Sequence, residues 1–432
     1  MELLFQNVTA VTMQKDNPVI QNAHVGIKNG CITYISNNPP AATASRTIDG
    51  TGKILIPGLY NCHTHIPMSL LRGFANDLAL EEWLFNHIFP VEQKIKGIPS
   101  AVYTGAMLSI AEMIASGTIA FNEMYFGLPE IAKAVETSGV KANLSNGPIT
   151  FDPDGYDYSK QNDCTETMHI LENYHKAPHG RIKAEAAIHC AYTSHPTAWR
   201  QVADFAQKHQ LSMHVHLSET ITEHNKSLAQ FDLTPAQAFS QYGIFDAPTI
   251  AAHACWVSED DIEILARHDV TVAHNPVSNL KLASGVAPII AMREKGINIA
   301  LGTDGMASNN THDLFEEIKI ASILQKCANE DSTALPAFQV LEMATANGAK
   351  AQGRQGGIIK EGYDADLVLL DFNNPRQTPC FDPLISLAYS TTGRDVVMTL
   401  CQGRVLYENG EYTTIDIEQI QHEAKKIAAS LC

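Results

Sequence analysis

Two His-x-His pairs stand out in the sequence, His63-Thr64-His65 and His214-Val215-His216. With 18 histidines in 432 residues, composition alone predicts about one such pair. The pairs gain meaning from geometry, because residues i and i+2 of a β-strand face the same side and can bring two imidazoles to one cation. Other residues able to bind metal or move a proton, Glu123, Asn146, His189, Glu219, His253, His274 and Asp304, also fall at the ends of apolar runs. A third neutral nitrogen and one carboxylate would complete a site suited to a divalent ion, Zn²⁺ first, with iron or another divalent metal as alternatives. His214 and His216 share a strand face, so spacing does not choose between them. Asp304 follows INIALG and precedes Gly305, which projects its side chain past a strand end, although a turn or helix-cap aspartate has the same surroundings.

The elements that must position these residues are eight apolar runs. They are ILIPGLYNCHTH (54–65), TIAFNEM (118–124), VKANLSN (140–146), IKAEAAIH (182–189), SMHVHLSE (212–219), TIAAHA (249–254), VTVAHNP (270–276) and INIALGTD (297–304). Segments of helical character separate them, as in SAVYTGAMLSIAEMIASG (100–117), where Val102, Ala106, Ile110 and Met113 share a face. Alternating strands and helices predict a parallel sheet, and eight repeats predict a TIM-type (β/α)8 barrel whose C-terminal mouth carries the site. The connections around 66–99 and 150–180 are too long for turns and are expected to cover that mouth. Residues 1–55 and 356–432 read instead as short strands with turn signals, including Lys28-Asn29-Gly30 as a hairpin turn. They are expected to form one composite β-sandwich domain beside a barrel over 56–355.

Composition narrows the function classes. The net charge of −17 repels phosphate backbones and anionic lipid, so nucleic-acid and membrane partners are not expected. The start MELLFQNVTAVTM lacks the basic end and apolar run of a signal peptide, and a cytoplasmic location is expected. Nine scattered cysteines with no C-x-x-C read as reduced thiols, which leaves metal binding to other residues. No G-x-S-x-G elbow, H-E-x-x-H or P-C-x-x-C occurs, and Thr51-Gly52-Lys53 lacks the rest of a phosphate-binding loop.

Four ordered segments, PGLYNCHTHIPMSLLRGFANDLALEEWL, HLSET, HNPVSNLKL and GTDGMASNN, resemble the amidohydrolase superfamily, specifically its 5-methylthioadenosine/S-adenosylhomocysteine deaminase branch. The resemblance spans essentially the whole chain. It implies one metal ion on His63, His65, His216 and Asp304, taking His216 rather than His214 from the pattern His216-Leu217-Ser218-Glu219. No strand-end lysine stands where binuclear members carry a bridging one. A bound divalent ion lowers the pKa of water from 15.7 to roughly 7, supplying hydroxide for attack on the ring carbon that bears an amine. Glu219 then suits proton delivery to the ring and to the departing amine, Asp304 can take the proton of the water, and His253 can orient it.

By the same resemblance, Glu92 should bind ribose hydroxyls, Trp83 line the pocket, and His189 and Ser308 contact the purine edges. Asn146 occupies the place of the arginines with which some members hold a homocysteine carboxylate, and no arginine lies between Arg72 and Arg181. The expected reaction is hydrolytic deamination of a 6-aminopurine nucleoside by a homo-oligomer. The rivals are a guanine deaminase or triazine hydrolase on the same scaffold, and a catalytically silent binding protein.

Overall fold

The computed structural model describes residues 1–175 and 180–431, so Cys432 and part of the 150–180 connection lie outside the described residues. The two chain ends build one nine-stranded sheet. Leu3–Val11, Val19–Lys28, Cys31–Ser36, Arg46–Asp49 and Lys53–Pro57 come from the start, and Leu367–Asp371, Val396–Cys401, Arg404–Glu408 and Glu411–Tyr412 from the end. The ends meet where Lys53–Pro57 pairs antiparallel with Leu367–Asp371, Pro57 opposite Leu367 and Lys53 opposite Asp371. Alternating Phe5, Val25, Ile27, Leu55, Leu367 and Leu400 make the apolar core of this sheet. The expected hairpin turn is present. Lys28 pairs with Cys31, and Asn29 (φ 52°) and Gly30 (φ 75°) both take the left-handed conformation that a two-residue turn requires.

Between these ends, each of the eight apolar runs contains a strand, and all pairing there is parallel. One five-stranded sheet runs through Asp304–Gly305, Leu59–His65, Thr118–Met124, Lys141–Ser145 and Ile182–Ala184. A second runs through Ala186–Ile188, Met213–Leu217, Thr249–His253, Thr271–His274 and Ile299–Leu301. Only Glu185 separates the two sheets along the fourth run, and Ile299–Leu301 leads directly into Asp304–Gly305 along the eighth. The fold is therefore mixed α/β with parallel sheets, the class the alternating pattern predicts.

The helix over Ala101–Ala115 buries Val102, Ala106, Ile110 and Met113, as its periodicity requires, and the chain leaves it through Gly117 at φ 88°. The long 66–99 connection is helical too. Leu80–Trp83 and Phe89–Lys96 are joined by a wider turn over Leu84–Ile88. The last helix, Ile417–Leu431, packs on Ala101–Ala115. At the joint between the sheets, buried Lys141 places its Nζ 2.5 Å from Asp366 and 2.6 Å from Asp364, while Tyr60 donates to Asp366. Among the described residues no single helix is long and apolar enough to cross a membrane.

Candidate active site

The parallel strands bring their last residues to one place. His63 and His65 end one strand, His216 another and His253 a third, and Asp304 closes the eighth run. Two overlapping groups, His63 with His216 and His253, and His63 with His65 and Asp304, hold their candidate ligand atoms within 4.8 Å of one another. The Asp304 Oδ1 lies 3.2 Å from His65 Nε2 and 3.4 Å from His63 Nε2, and His216 Nε2 lies 3.2 Å from His65 Nε2. Ligands about 2.0–2.1 Å from a tetrahedral ion are separated by roughly 3.3 Å, so these atoms are spaced to share one cation. All of these side chains are buried or nearly so.

The other ring nitrogens show which atom each histidine offers. His65 Nδ1 is 2.6 Å from the Met124 carbonyl, and His216 Nδ1 is 2.6 Å from the His189 carbonyl. A carbonyl accepts only from N–H, so both rings carry their proton on Nδ1 and turn a lone pair on Nε2 inward, the arrangement metal-binding histidines need. His63 Nδ1 meets His214 Nε2 at 2.9 Å, and His63 Nε2 is buried with no partner satisfying it. Burial pushes the His63 imidazole down to about 3 despite Asp304, which keeps it neutral. For His65, burial is outweighed by Asp304, and its pKa rises to about 9. Asp304 itself is held well below the usual carboxylate range by both histidines, against the effect of its burial. Imidazole nitrogens with one ionised carboxylate are the donor chemistry of a Zn²⁺ site, and an ion bound there would displace the proton that Asp304 favours on His65.

Asp304 is held from several directions. Ser278 and Ser308 donate to its Oδ2 at 2.6 and 3.0 Å, leaving Oδ1 toward the histidines. The amide of Asn61, on the strand Leu59–His65, grips Thr303 through both its backbone N–H (3.0 Å) and its hydroxyl (2.7 Å). Asp304 (φ 63°), His253 (φ 74°), Ala254 (φ 48°) and Ser218 (φ 46°) all take left-handed backbone conformations. Such strain in non-glycine residues tends to gather at functional sites.

The proposed proton-handling groups lie beside the cluster. Glu219 Oε1 accepts from Ser284 at 2.9 Å, its Oε2 is 4.0 Å from His253 Nε2, and its backbone N–H donates to Glu223 at 2.7 Å. Burial raises the Glu219 carboxyl pKa, with His253 pulling it down. His253 Nδ1 meets the Asn279 amide oxygen at 2.8 Å, which turns its Nε2 toward Glu219.

A cleft of about 840 Å³ opens above these residues. Of the expected substrate contacts, Trp83, Glu92, Asn146, His189 and Ser308 all line it, together with His65, His216, Glu219, His253 and Asp304. The helices over Leu80–Lys96 form one wall, as the long connection suggested. His189 engages Thr193 and Cys190 through Nδ1, and burial lowers its pKa to about 3, so it presents a neutral ring. The Ser308 hydroxyl is engaged with Asp304 and the Gly305 carbonyl. Asn146 donates to Glu166 at 3.0 Å.

Glu123 and His274 stand at strand ends but outside the ligand groups. Glu123 accepts from Thr64 (2.6 Å) and from the Ile66 backbone (2.9 and 3.1 Å), fixing the chain just after His65. His274 is wholly buried. Sequence reasoning does not assign Ser278, Asn279, Ser284 or Glu223. The first two lie inside HNPVSNLKL, and Glu223 is one helical turn after Glu219, which is the only signal the sequence holds for them.

The amidohydrolase family matches residues 54–406. The chain is 42% identical over 430 residues to a 5'-deoxyadenosine deaminase of Methanosarcina acetivorans, covering 100% of this chain and 98% of that protein. It is 43% identical over 432 residues to a 5-methylthioadenosine/S-adenosylhomocysteine deaminase of Dictyoglomus turgidum, with 100% and 99% covered. Among solved structures it resembles an adenosine deaminase from Xanthomonas campestris with bound zinc, at TM-score 0.93 and 33% identity, covering 100% of this chain and 98% of the other.

Proposed function

Because the chain belongs to the amidohydrolase family, we propose that it is a hydrolase of cyclic C–N bonds that deaminates a 6-aminopurine nucleoside, consuming water and releasing the inosine-type product and ammonia. The two parallel sheets are two halves of one (β/α)8 barrel over 56–355, and the nine-stranded sheet is the core of a composite domain from residues 1–55 and 356–432. The observation that carries the chemistry is the inward-facing Nε2 set of His63, His65 and His216 against Asp304 Oδ1, with Glu219 at its edge. His63, His65, His216 and Asp304 would hold one divalent ion, Zn²⁺ by donor type, which when bound would supply hydroxide at neutral pH by acidifying a water.

The chain's own residues do the rest. His253, with Nδ1–H given to Asn279, accepts a hydrogen bond at Nε2 and orients the attacking water. Asp304 accepts the proton that the water loses. Glu219, whose carboxyl pKa is raised by burial, donates to a ring nitrogen as the amine-bearing carbon becomes tetrahedral, then takes the proton from the new hydroxyl on that carbon and passes it to the departing amine, leaving a carbonyl and ammonia. The neutral ring of His189 meets a purine nitrogen, Trp83 provides a flat apolar wall, and Glu92 accepts from two vicinal ribose hydroxyls. Ser308 and Asn146 border the same bound substrate.

The test is ammonia release from zinc-loaded protein offered 5'-deoxyadenosine, 5′-methylthioadenosine, adenosine, guanine and an aminotriazine. Turnover of the nucleosides is expected. Activity confined to free guanine or to the triazine, or no turnover at all, overturns the reading.

A further inference from the structure

The chain that leaves the strand Thr249–His253 stays tied to the neighbouring strand Met213–Leu217. Ala254 donates its backbone N–H to the Leu217 carbonyl at 2.9 Å, and Trp256 donates its own to the Ser218 carbonyl at 2.9 Å. Ser218, at φ 46°, directly precedes Glu219, so the Trp256 backbone fixes the chain that carries the proton shuttle. The Trp256 side chain reaches Glu219 by a second route. Its Nε1–H donates to the Ser284 carbonyl at 2.6 Å, and the Ser284 hydroxyl donates to Glu219 Oε1 at 2.9 Å.

Packing alone does not account for this indole. Ser284 and Glu219 are buried, whereas Trp256 is 39% exposed and gives up part of the stabilisation that burying its ring would bring. What it offers in place of another apolar residue is one N–H donor. Gly285 makes room for that donor. It sits at φ 142°, and a Cβ there would lie 2.8 Å from Trp256 Nε1. The supports of the two proton-handling groups are also separable along the chain. Asn279, which meets His253 Nδ1, lies within the helix Pro276–Lys281, while Ser284 lies beyond its end, after Ala283 at φ 52°. Loosening of the indole contact therefore falls first on Ser284 and Glu219.

We propose that Trp256 is a positioning residue for the deamination, its indole N–H setting the Ser284 hydroxyl and, through it, the aim of the Glu219 carboxyl at the ring nitrogen and the departing amine. Trp256 does not line the cleft, so the contribution belongs to the proton transfers and not to substrate binding. This inference rests on the proton-shuttle reading of Glu219 above.

The experiment measures ammonia release from 5'-deoxyadenosine by zinc-loaded protein. Trp256→Phe keeps a ring and removes the donor, and Ser284→Ala removes the hydroxyl and keeps the carbonyl. Each is expected to lower kcat by about 10- to 100-fold, as a misplaced catalytic group does, with KM and zinc content at the wild-type level. Because both changes act on one contact, the double variant should be no slower than the slower single one. In Glu219→Gln, where no proton is cycled, Trp256→Phe should cost nothing more. A kcat unmoved by Trp256→Phe, a loss carried by KM or zinc content, or a loss that multiplies in the double variant and persists in Glu219→Gln overturns the positioning role. A wild type inactive on every nucleoside overturns the deaminase reading, and this role with it.

Discussion

The Nε2 of His214 lies 2.9 Å from the Nδ1 of His63, so one member of the second His-x-His pair supports a member of the first. Burial, reinforced by the neighbouring His63, holds His214 neutral. If His63 gives its Nε2 lone pair to a cation, its Nδ1 carries the proton and His214 accepts it. That bond fixes both the tautomer and the ring plane of His63. His214→Ala is expected to weaken metal affinity by about 10- to 100-fold, measured by competition with a chelator, while excess zinc restores most of kcat. Unchanged affinity would reduce the contact to packing.

Glu219 contributes differently. It is 4.0 Å from His253 and bonded to Ser284, with no place in either ligand group. Glu219→Gln keeps the size and the Ser284 contact but cannot cycle a proton. The expected result is full metal content with kcat lower by about 10²- to 10⁴-fold, whereas His63→Ala loses metal and rate together. Normal turnover by Glu219→Gln would end its assignment as proton shuttle.

Glu92 gives a pH dependence with a definite sign. Burial raises its carboxyl pKa to about 7, with Tyr125, His65 and Lys96 pulling the other way. The ionised form accepts from two hydroxyls, and the protonated form gives up part of that capacity. Binding of nucleosides should therefore strengthen as pH rises through about 7 and level off above it, which appears as a falling KM. Glu92→Gln is expected to raise KM and flatten this limb. A limb of the same shape in Glu92→Gln places the titration elsewhere.

Much of the site is legible in the sequence because strand geometry is simple. A period of two puts His63 and His65 on one side, and a polar residue closing an apolar run marks His216, His253 and Asp304 as strand ends. What orients them is less visible. The acceptors of the His65 and His216 protons are the carbonyls of Met124 and His189, which any side chain would supply equally. The left-handed backbone at His253 and Asp304 is imposed by surrounding contacts, since no glycine or asparagine announces it. The nine-stranded sheet follows from β patterns at both chain ends, but the packing of the helix Ile417–Leu431 on Ala101–Ala115 is a tertiary choice that its own amphipathic face does not specify.

Gly302 offers the most severe test of how closely the first and eighth runs must approach. A Cβ there would lie 2.3 Å from the Asn275 amide oxygen, 2.8 Å from the His63 Cβ and 2.9 Å from the His63 backbone nitrogen. Flexible side chains could yield to an added methyl, but the His63 backbone cannot without shifting the strand that carries both His63 and His65. Asp304, two residues on, would move relative to the same strand, because Asp304–Gly305 pairs with Thr64 and His65. Gly302→Ala is therefore expected to retain its secondary structure by circular dichroism while binding much less than one metal per chain and losing activity in proportion. A Gly302→Ala protein with full zinc content and normal turnover would mean that the spacing between His63 and Asp304 tolerates far more displacement than a shared cation allows.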